Sequence, residues 1–317
     1  MPTVIAEFCQ NHNGDRGLLK EMIWAAAGAG ADYAKIQAIF AEDLAYRERF
    51  EEGVIANDVT EVIKRPYRSE FERLSKLEIP YSDYEWFIEE CKKAGINPMT
   101  TVFCRSQVKE IAKYRWRDVK VASYDCASYP LLRELKGSFN HLFVATGATY
   151  DDEIDQAARI LGDTSFTFLH CTTIYPGPLD QLHLARMEYL RRFTPSVGFS
   201  DHTAVEHGIT ASAVALSLGA DTIERHFTIL KPDQTKDGPI SINPQQLTQL
   251  CTLAHGDSNL LQNYIEHEVG DYRAMIGQSH RDLSPVELLN RDYYRGRFAS
   301  RDANGSIIYN WEETPLE

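Results

Sequence analysis

The sequence has little of several things, and each shortage excludes a class of function. It contains no apolar run near the roughly 18 residues that a bilayer-spanning helix needs. Its six cysteines, Cys9, Cys91, Cys104, Cys126, Cys171 and Cys251, are scattered with no CxxC pair, which argues against a disulfide framework or a structural zinc and fits a reducing compartment. Positive charge is scarce: 33 Lys and Arg stand against 46 Asp and Glu, a formal net charge of −13. Such a chain is poorly suited to sequence-independent nucleic-acid binding or to anionic membranes. An anionic substrate must therefore be held by a few locally placed cations or backbone N–H groups. No GxGxxG follows the first apolar run, and no short repeat or low-complexity tract is visible. The opening Met-Pro-Thr-Val-Ile-Ala-Glu lacks a basic segment and reads as a strand rather than a signal peptide, so a cytoplasmic location is expected.

What is present is a regular alternation. The 317 residues are 43% hydrophobic and 25% charged, enough for one large core or two ordinary ones. Short β-rich runs at 3–9, 33–39, 98–103, 119–123, 141–146, 166–172, 196–200 and 222–228 are each followed by a helical stretch. Those helices are expected at about 16–29, 69–94, 106–114, 129–136, 151–161, 180–193, 205–218 and 244–256. Acids at 151–153 suit the positive end of a helix dipole, and Asn243-Pro244 offers an N-cap followed by Pro at the first helical position. Eight βα units predict an α/β fold, a (β/α)8 TIM barrel; an open doubly wound sheet is the competing arrangement. The expected organisation is a barrel over 1–257, an additional helix over 258–280 packed on it, and a polar tail over 281–317. Residues 40–68 form a long charged connection after the second strand, which in a barrel falls on the active face.

Barrel enzymes place their chemistry at the C-terminal ends of strands. Read there, the sequence offers Glu7 followed by Gln10-Asn11-His12-Asn13-Gly14, then Lys35 and Gln37, then Thr100 and Thr101. Further on come Lys120, Ser123 and Asp125, then Thr146-Gly147, then His170 to Thr173 with Tyr175. The last two strands end in Ser200-Asp201-His202-Thr203 and Glu224-Arg225-His226. So much charge at strand ends is costly to bury unless it is paired or used. His202 and His226 end neighbouring strands and could converge on one divalent metal, with Glu7 and Asp237 as oxygen ligands or outer contacts. Lys35, Lys120 and Arg225 are candidate anion-binding cations. Thr101, Ser123 and Ser200 could bind substrate or only satisfy nearby backbone. Asn11 to Asp15 could equally be a turn before a helix, and the cysteines small core residues.

Taken together, these motifs resemble the sialic acid synthase family, the phosphoenolpyruvate-dependent nonulosonate synthases. The resemblance rests on Ile5-Ala6-Glu7, Asn11-His12-Asn13-Gly14-Asp15, the run Gly30 to Gln37, Lys120-Val121-Ala122-Ser123 and Ala145-Thr146-Gly147. It continues through the runs Leu169 to Pro176, Gly198 to Thr203 and Ile223 to Thr228, in family order. It implies a barrel that condenses phosphoenolpyruvate with the open aldehyde form of an N-acylated amino sugar, releasing phosphate and a 2-keto-3-deoxy nonulosonic acid. It implies a divalent metal, commonly Mn or Mg with Zn, Fe or Co possible, on His202 and His226. It carries phosphoenolpyruvate contacts to Thr101, Lys120, Ser123, Ser200 and Thr173, and sugar contacts to Gln37, Tyr175, Asp237, Asn11 and Lys35. Glu7, Lys35 and Asp125 join the two histidines as catalytic candidates. A homodimer is implied as well.

There are departures from the family pattern. Ala122-Ser123-Tyr124-Asp125 stands where Gly-Ser-Gly-Glu is common, Ala145-Thr146-Gly147 replaces Ser-Thr-Gly, and Thr173 takes the place of an Asn. Arg295 to Asp302 resembles the linker to a C-terminal antifreeze-like domain that caps the partner's site. The sequence stops at Glu317, too soon to build that domain: either the sequence is cut short, or a separate polypeptide supplies the domain, or the site closes differently, with residues 40–68 as a candidate lid. The alternatives left open are a different aldose or an aldose phosphate as acceptor, with Arg105 and Lys64-Arg65 as its phosphate cations, and a non-catalytic barrel that binds a sugar or a protein.

Overall fold

The computed structural model describes residues 1–316. Eight parallel strands close into a barrel: β1 Thr3–Glu7, β2 Tyr33–Ala38, β3 Asn97–Val102, β4 Asp118–Val121, β5 His141–Ala145, β6 Phe166–His170, β7 Val197–Asp201 and β8 Thr222–His226. Their order around the barrel is sequential, with β1 pairing both β2 and β8. All eight expected strands are therefore present, and the barrel, not the open sheet, is the fold. Among the described residues no helix is long and apolar enough to cross a membrane.

Side chains alternate across each strand, so each strand serves two cores. Outward residues such as Val4, Ala34, Val119, Val144, Phe168 and Phe199 join the helices in one continuous apolar layer. Inward, Ile5, Met99, Phe143, Leu169 and Tyr33 plug the lower barrel. Burial of each such large side chain contributes about 1.5–3 kcal/mol. Above this plug the inward positions turn polar, so the apolar floor carries the site.

The helices depart from expectation where the chain carries breakers. The single helix expected over 69–94 is two, Tyr67–Ser75 and Tyr84–Ala94, because Pro80 interrupts it. The stretch 180–193 forms only Arg186–Leu190, after His183 at φ 51°. The helix expected from 205 starts at Thr210, beyond Gly208 at φ 55°. Helix Pro244–His255 starts as expected, with the Asn243 side chain accepting from the Gln246 N–H at 2.9 Å.

The two irregular segments are folded. Residues 40–68 include a short helix, Arg49–Glu52, and a hairpin of Val54–Ala56 and Val59–Val62. Residues 258–280 break into Ser258–Tyr264, a wide turn and Arg273–Ile276, split at Gly270. The region expected to be a polar tail holds a ten-residue helix, Pro285–Tyr294, and a hairpin of Ser300–Arg301 with Ile307–Ile308. The Ser284 hydroxyl caps that helix by accepting from the Glu287 N–H, and the Glu287 carboxylate accepts from the Ser284 N–H. This helix packs on the 40–68 segment: Phe50 meets Tyr293 edge-on with ring centroids 5.1 Å apart, and Arg47 donates to the carbonyls of Tyr293 and Arg295. Asn290 reaches the barrel mouth by donating to the Thr173 carbonyl at 2.7 Å.

Candidate active site

Strand register builds the site. Glu7 lies beside Lys35 on one side and His226 on the other; Gln37 pairs with Thr101, Thr101 with Lys120, and Ser200 with Glu224. These residues point inward above the apolar plug and line a cavity of about 430 Å³. Ser123, Asp125, Tyr175, His202 and Asp237 line the same cavity from the loops that follow the strands.

At its base two cations face two anions. The Lys35 ammonium donates to Glu7 and to Thr101 Oγ1 (3.1 Å), and lies 3.3 Å from the Glu224 carboxylate. The Lys120 ammonium sits 3.4 Å from the other Glu224 oxygen, which also accepts from Ser200 Oγ at 2.6 Å. Burial alone would raise the Glu224 pKa, but Lys120, Lys35 and the Ser200 hydroxyl hold it well below the carboxylate range. Burial pulls Lys35 down to about 8, against the field of Glu224. Glu224 is thus the hub of the site, although reading the strand ends gave it no role.

Above this layer stand His202 and His226, ring centroids 5.3 Å apart, with Tyr175 edge-on to His202 at 4.8 Å. Burial lowers His202 to about 4 and takes His226 well below the usual imidazole value, so both are neutral near pH 7, the form that binds metal. Their Nδ1 atoms and Asp237 Oδ2 are buried without a hydrogen-bond partner. Such orphaned donors of electron pairs fit a cation. A second grouping is tighter: ligand atoms of Cys9, His226 and Asp237 lie within 4.8 Å of one another. Cys9, read only as a small core residue, lines the cavity instead.

Four expected residues fall elsewhere. Asn11 is fully buried outside the cavity lining, its amide donating to the Phe227 carbonyl (2.8 Å) and Ser241 Oγ (2.9 Å) and accepting from Thr235 Oγ1 (2.8 Å). It clips the β1 loop to the β8 loop rather than facing a sugar. Asn11→Ala is expected to lower stability by about 2–4 kcal/mol by orphaning these groups, with the sugar KM unchanged in the folded fraction. A raised sugar KM at unaltered thermal midpoint would restore the substrate role. Thr173 also lies off the lining, behind Asn290. Arg225 points outward into the strand–helix layer, at 0% exposure against Asp201, and is no anion receptor. Arg105, a candidate for acceptor phosphate, is tied to Glu134 and to the carbonyls of Glu312 and Thr314. Asp125 does line the cavity, but its carboxylate accepts from Asn310 (2.9 Å) and Ser128 (2.8 Å), and burial raises it to about 6.

The motif Asn11 to Asp15 proves largely architectural. Asp15 caps helix Arg16–Gly28 by accepting from the Gly17 and Leu18 N–H groups. Gly14 sits at φ 74°, where a Cβ would meet the Lys76 carbonyl oxygen at 2.0 Å. The C-terminal segment, absent from the expected site, supplies Asn290, Tyr294 and Arg297 to the cavity mouth, and Arg65 and Lys236 join them.

A parallel barrel whose active end gathers paired lysines and carboxylates under two neutral imidazoles defines an enzyme, a synthase of the sialic acid synthase class. Family comparison agrees over most of the length: the chain belongs to the NeuB family, whose model matches residues 22–265. It is 32% identical to N,N'-diacetyllegionaminic acid synthase of Campylobacter jejuni, over 98% of this chain and 93% of that protein. It is 24% identical to a pseudaminic acid synthase of the same species, over 98% of this chain and 84% of the other. Among solved structures it resembles N-acetylneuraminic acid synthetase from Leptospira borgpetersenii, with a TM-score of 0.69, 25% identity, and 92% and 90% of the two chains covered.

Proposed function

We propose that this enzyme condenses phosphoenolpyruvate with the open aldehyde form of an N-acylated amino sugar, in the cytoplasm, giving a 2-keto-3-deoxy nonulosonic acid and phosphate. One observation carries the reading: a cavity with the volume for two small substrates ends in two buried lysines beside two neutral imidazoles. In this reading Lys120, with Thr101, Ser123 and Ser200, holds the phosphate and carboxylate of phosphoenolpyruvate. Gln37, Tyr175 and Asp237 face the sugar. The methylene carbon bonds to the aldehyde carbon, whose oxygen gains a proton; water adds at C2 and gives up its protons, one replacing that proton and the other leaving with phosphate, as the bond between C2 and the phosphate oxygen breaks and C2 becomes the keto carbon. Glu7 and Lys35, in direct contact, are placed to hand that proton over. A divalent ion, Mn or Mg with Zn, Fe or Co as alternatives, held by His202 and His226 would supply Lewis-acid polarisation of the aldehyde.

A second reading, an aldose phosphate as acceptor, draws on Arg65, Lys236 and Arg297 at the mouth. One panel separates the two. Phosphate release from phosphoenolpyruvate with Mn is measured against N-acetylmannosamine, its diacetamido-dideoxy analogues, and arabinose and erythrose phosphates, with product masses. A product of acetamido sugar plus pyruvate is expected, and His202→Ala and His226→Ala should each abolish it. Turnover with the phosphorylated aldoses alone favours the second reading; full activity in either histidine variant removes the metal assignment.

A further inference from the structure

Cys9 follows the end of β1, two residues past Glu7, and its backbone lies at φ 45°. That left-handed region is unusual for a residue with a Cβ, and non-glycine residues held there cluster at functional sites. The side chain is 7% exposed and faces the cavity rather than the core. Its sulfur, a ring nitrogen of His226 and a carboxylate oxygen of Asp237 all lie within 4.8 Å of one another. Two of the three partners carry a buried polar atom with no hydrogen bond, His226 Nδ1 and Asp237 Oδ2. A sulfur donor from the turn after β1, a nitrogen donor from the end of β8 and an oxygen donor from the loop that follows β8 thus converge on one point.

We propose that the Cys9 sulfur is a metal ligand together with His226 and Asp237, so that this site takes a borderline-soft divalent ion, Zn, Co or Fe(II), in preference to Mg. This rests on the reading that His226 holds metal and adds to it the identity of the other donors. Charge agrees: one thiolate and one carboxylate neutralise a divalent ion above a cavity base whose two lysines, Lys35 and Lys120, are already matched by Glu7 and Glu224. Ligand softness agrees too, since thiolate and imidazole favour the later first-row metals whereas Mg prefers oxygen alone. The other five cysteines line no part of this cavity, which leaves Cys9 as its thiol.

The test uses the chelator-stripped full-length chain titrated with Co(II) and read by absorption. A thiolate-to-cobalt charge-transfer band in the near ultraviolet is expected, with tight one-to-one binding that Mg does not displace. Cys9→Ser should lose the band and weaken Zn and Co binding by more than the roughly 10–100-fold typical of an outer contact. Cys9→Gly guards against misfolding, because glycine suits the φ 45° backbone. It should keep or raise the metal-free thermal midpoint while binding metal as weakly as the serine variant. His226→Ala should bind no ion at the site. If the cysteine variants bind Co(II) with wild-type affinity and spectrum while His226→Ala does not, the Cys9 proposal is overturned and the histidine reading stands. If the wild-type chain binds neither Co(II) nor Zn, both are overturned.

Discussion

Arg225→Met is expected to cost about 3–5 kcal/mol of folding stability, the loss typical when one partner of a buried ion pair is removed. Against a total of about 5–15 kcal/mol, that is enough to leave the chain marginally folded. The guanidinium is wholly buried and donates to the Asp201 carboxylate (3.2 Å) and carbonyl (3.0 Å), to the Thr203 carbonyl (2.9 Å) and to the Gly208 carbonyl (3.2 Å). Asp201 in turn accepts from the Thr203 N–H and hydroxyl and from Ser212 Oγ. Methionine fills much of the volume but leaves a carboxylate without its counter-charge and three carbonyls short of a donor. Denaturant unfolding should show a lowered midpoint. Asp201→Asn added to Arg225→Met should recover part of the loss, since it removes the stranded charge. A single-variant loss below about 1 kcal/mol would mean that the β7–β8 crossing does not depend on this pair.

Arg225 also marks where the sequence stops being legible. It lies between Glu224 and His226, and all three read as charged groups at one strand end. Only alternation separates them: Glu224 and His226 face the cavity, and Arg225 faces the helices. In a strand buried on both faces the polar and apolar sets do not alternate visibly, so side-chain direction comes from register with β7 and β1. For the same reason Glu224 could be seen at the strand end but not assigned as the hub between Lys35 and Lys120. The barrel itself was readable because eight βα units repeat, and each strand lies within a residue or two of its expected place. The C-terminal contribution to the mouth was not, because helix Pro285–Tyr294 is half exposed and polar, and its role depends on docking against Phe50 and Thr173 from distant segments. Asn11 looked like a site residue since a polar group near a strand end can bind a ligand or join two loops. Its three hydrogen-bond partners, two of them more than 220 residues away, decide for the second.

Lys120→Ala is expected to reduce kcat/KM for phosphoenolpyruvate by about 10³-fold or more, since one neutral oxyanion donor already carries about 10²–10³ and this is a buried cation. The base of the cavity holds Lys35 and Lys120 against Glu7 and Glu224. Removing Lys120 leaves that layer with net negative charge at the point where the proposed function docks a multiply charged anion. On that reading the substrate would lose an anchor and meet repulsion in a medium that screens poorly. The fold should tolerate the change better than it tolerates Arg225→Met, because Glu224 keeps Lys35 at 3.3 Å and Ser200 Oγ at 2.6 Å. Steady-state kinetics should therefore show a raised phosphoenolpyruvate KM and a lowered kcat, a nearly constant sugar KM and a small shift in thermal midpoint. Glu224→Gln in the Lys120→Ala background separates electrostatics from shape. It returns the layer to balance, Lys35 against Glu7, without restoring the ammonium. Partial recovery of phosphoenolpyruvate KM with kcat still low would assign binding to the summed charge and turnover to the Lys120 donor itself. An effect of Lys120→Ala smaller than tenfold would move the anion site away from the base of the barrel, toward Arg65, Lys236 and Arg297 at its mouth.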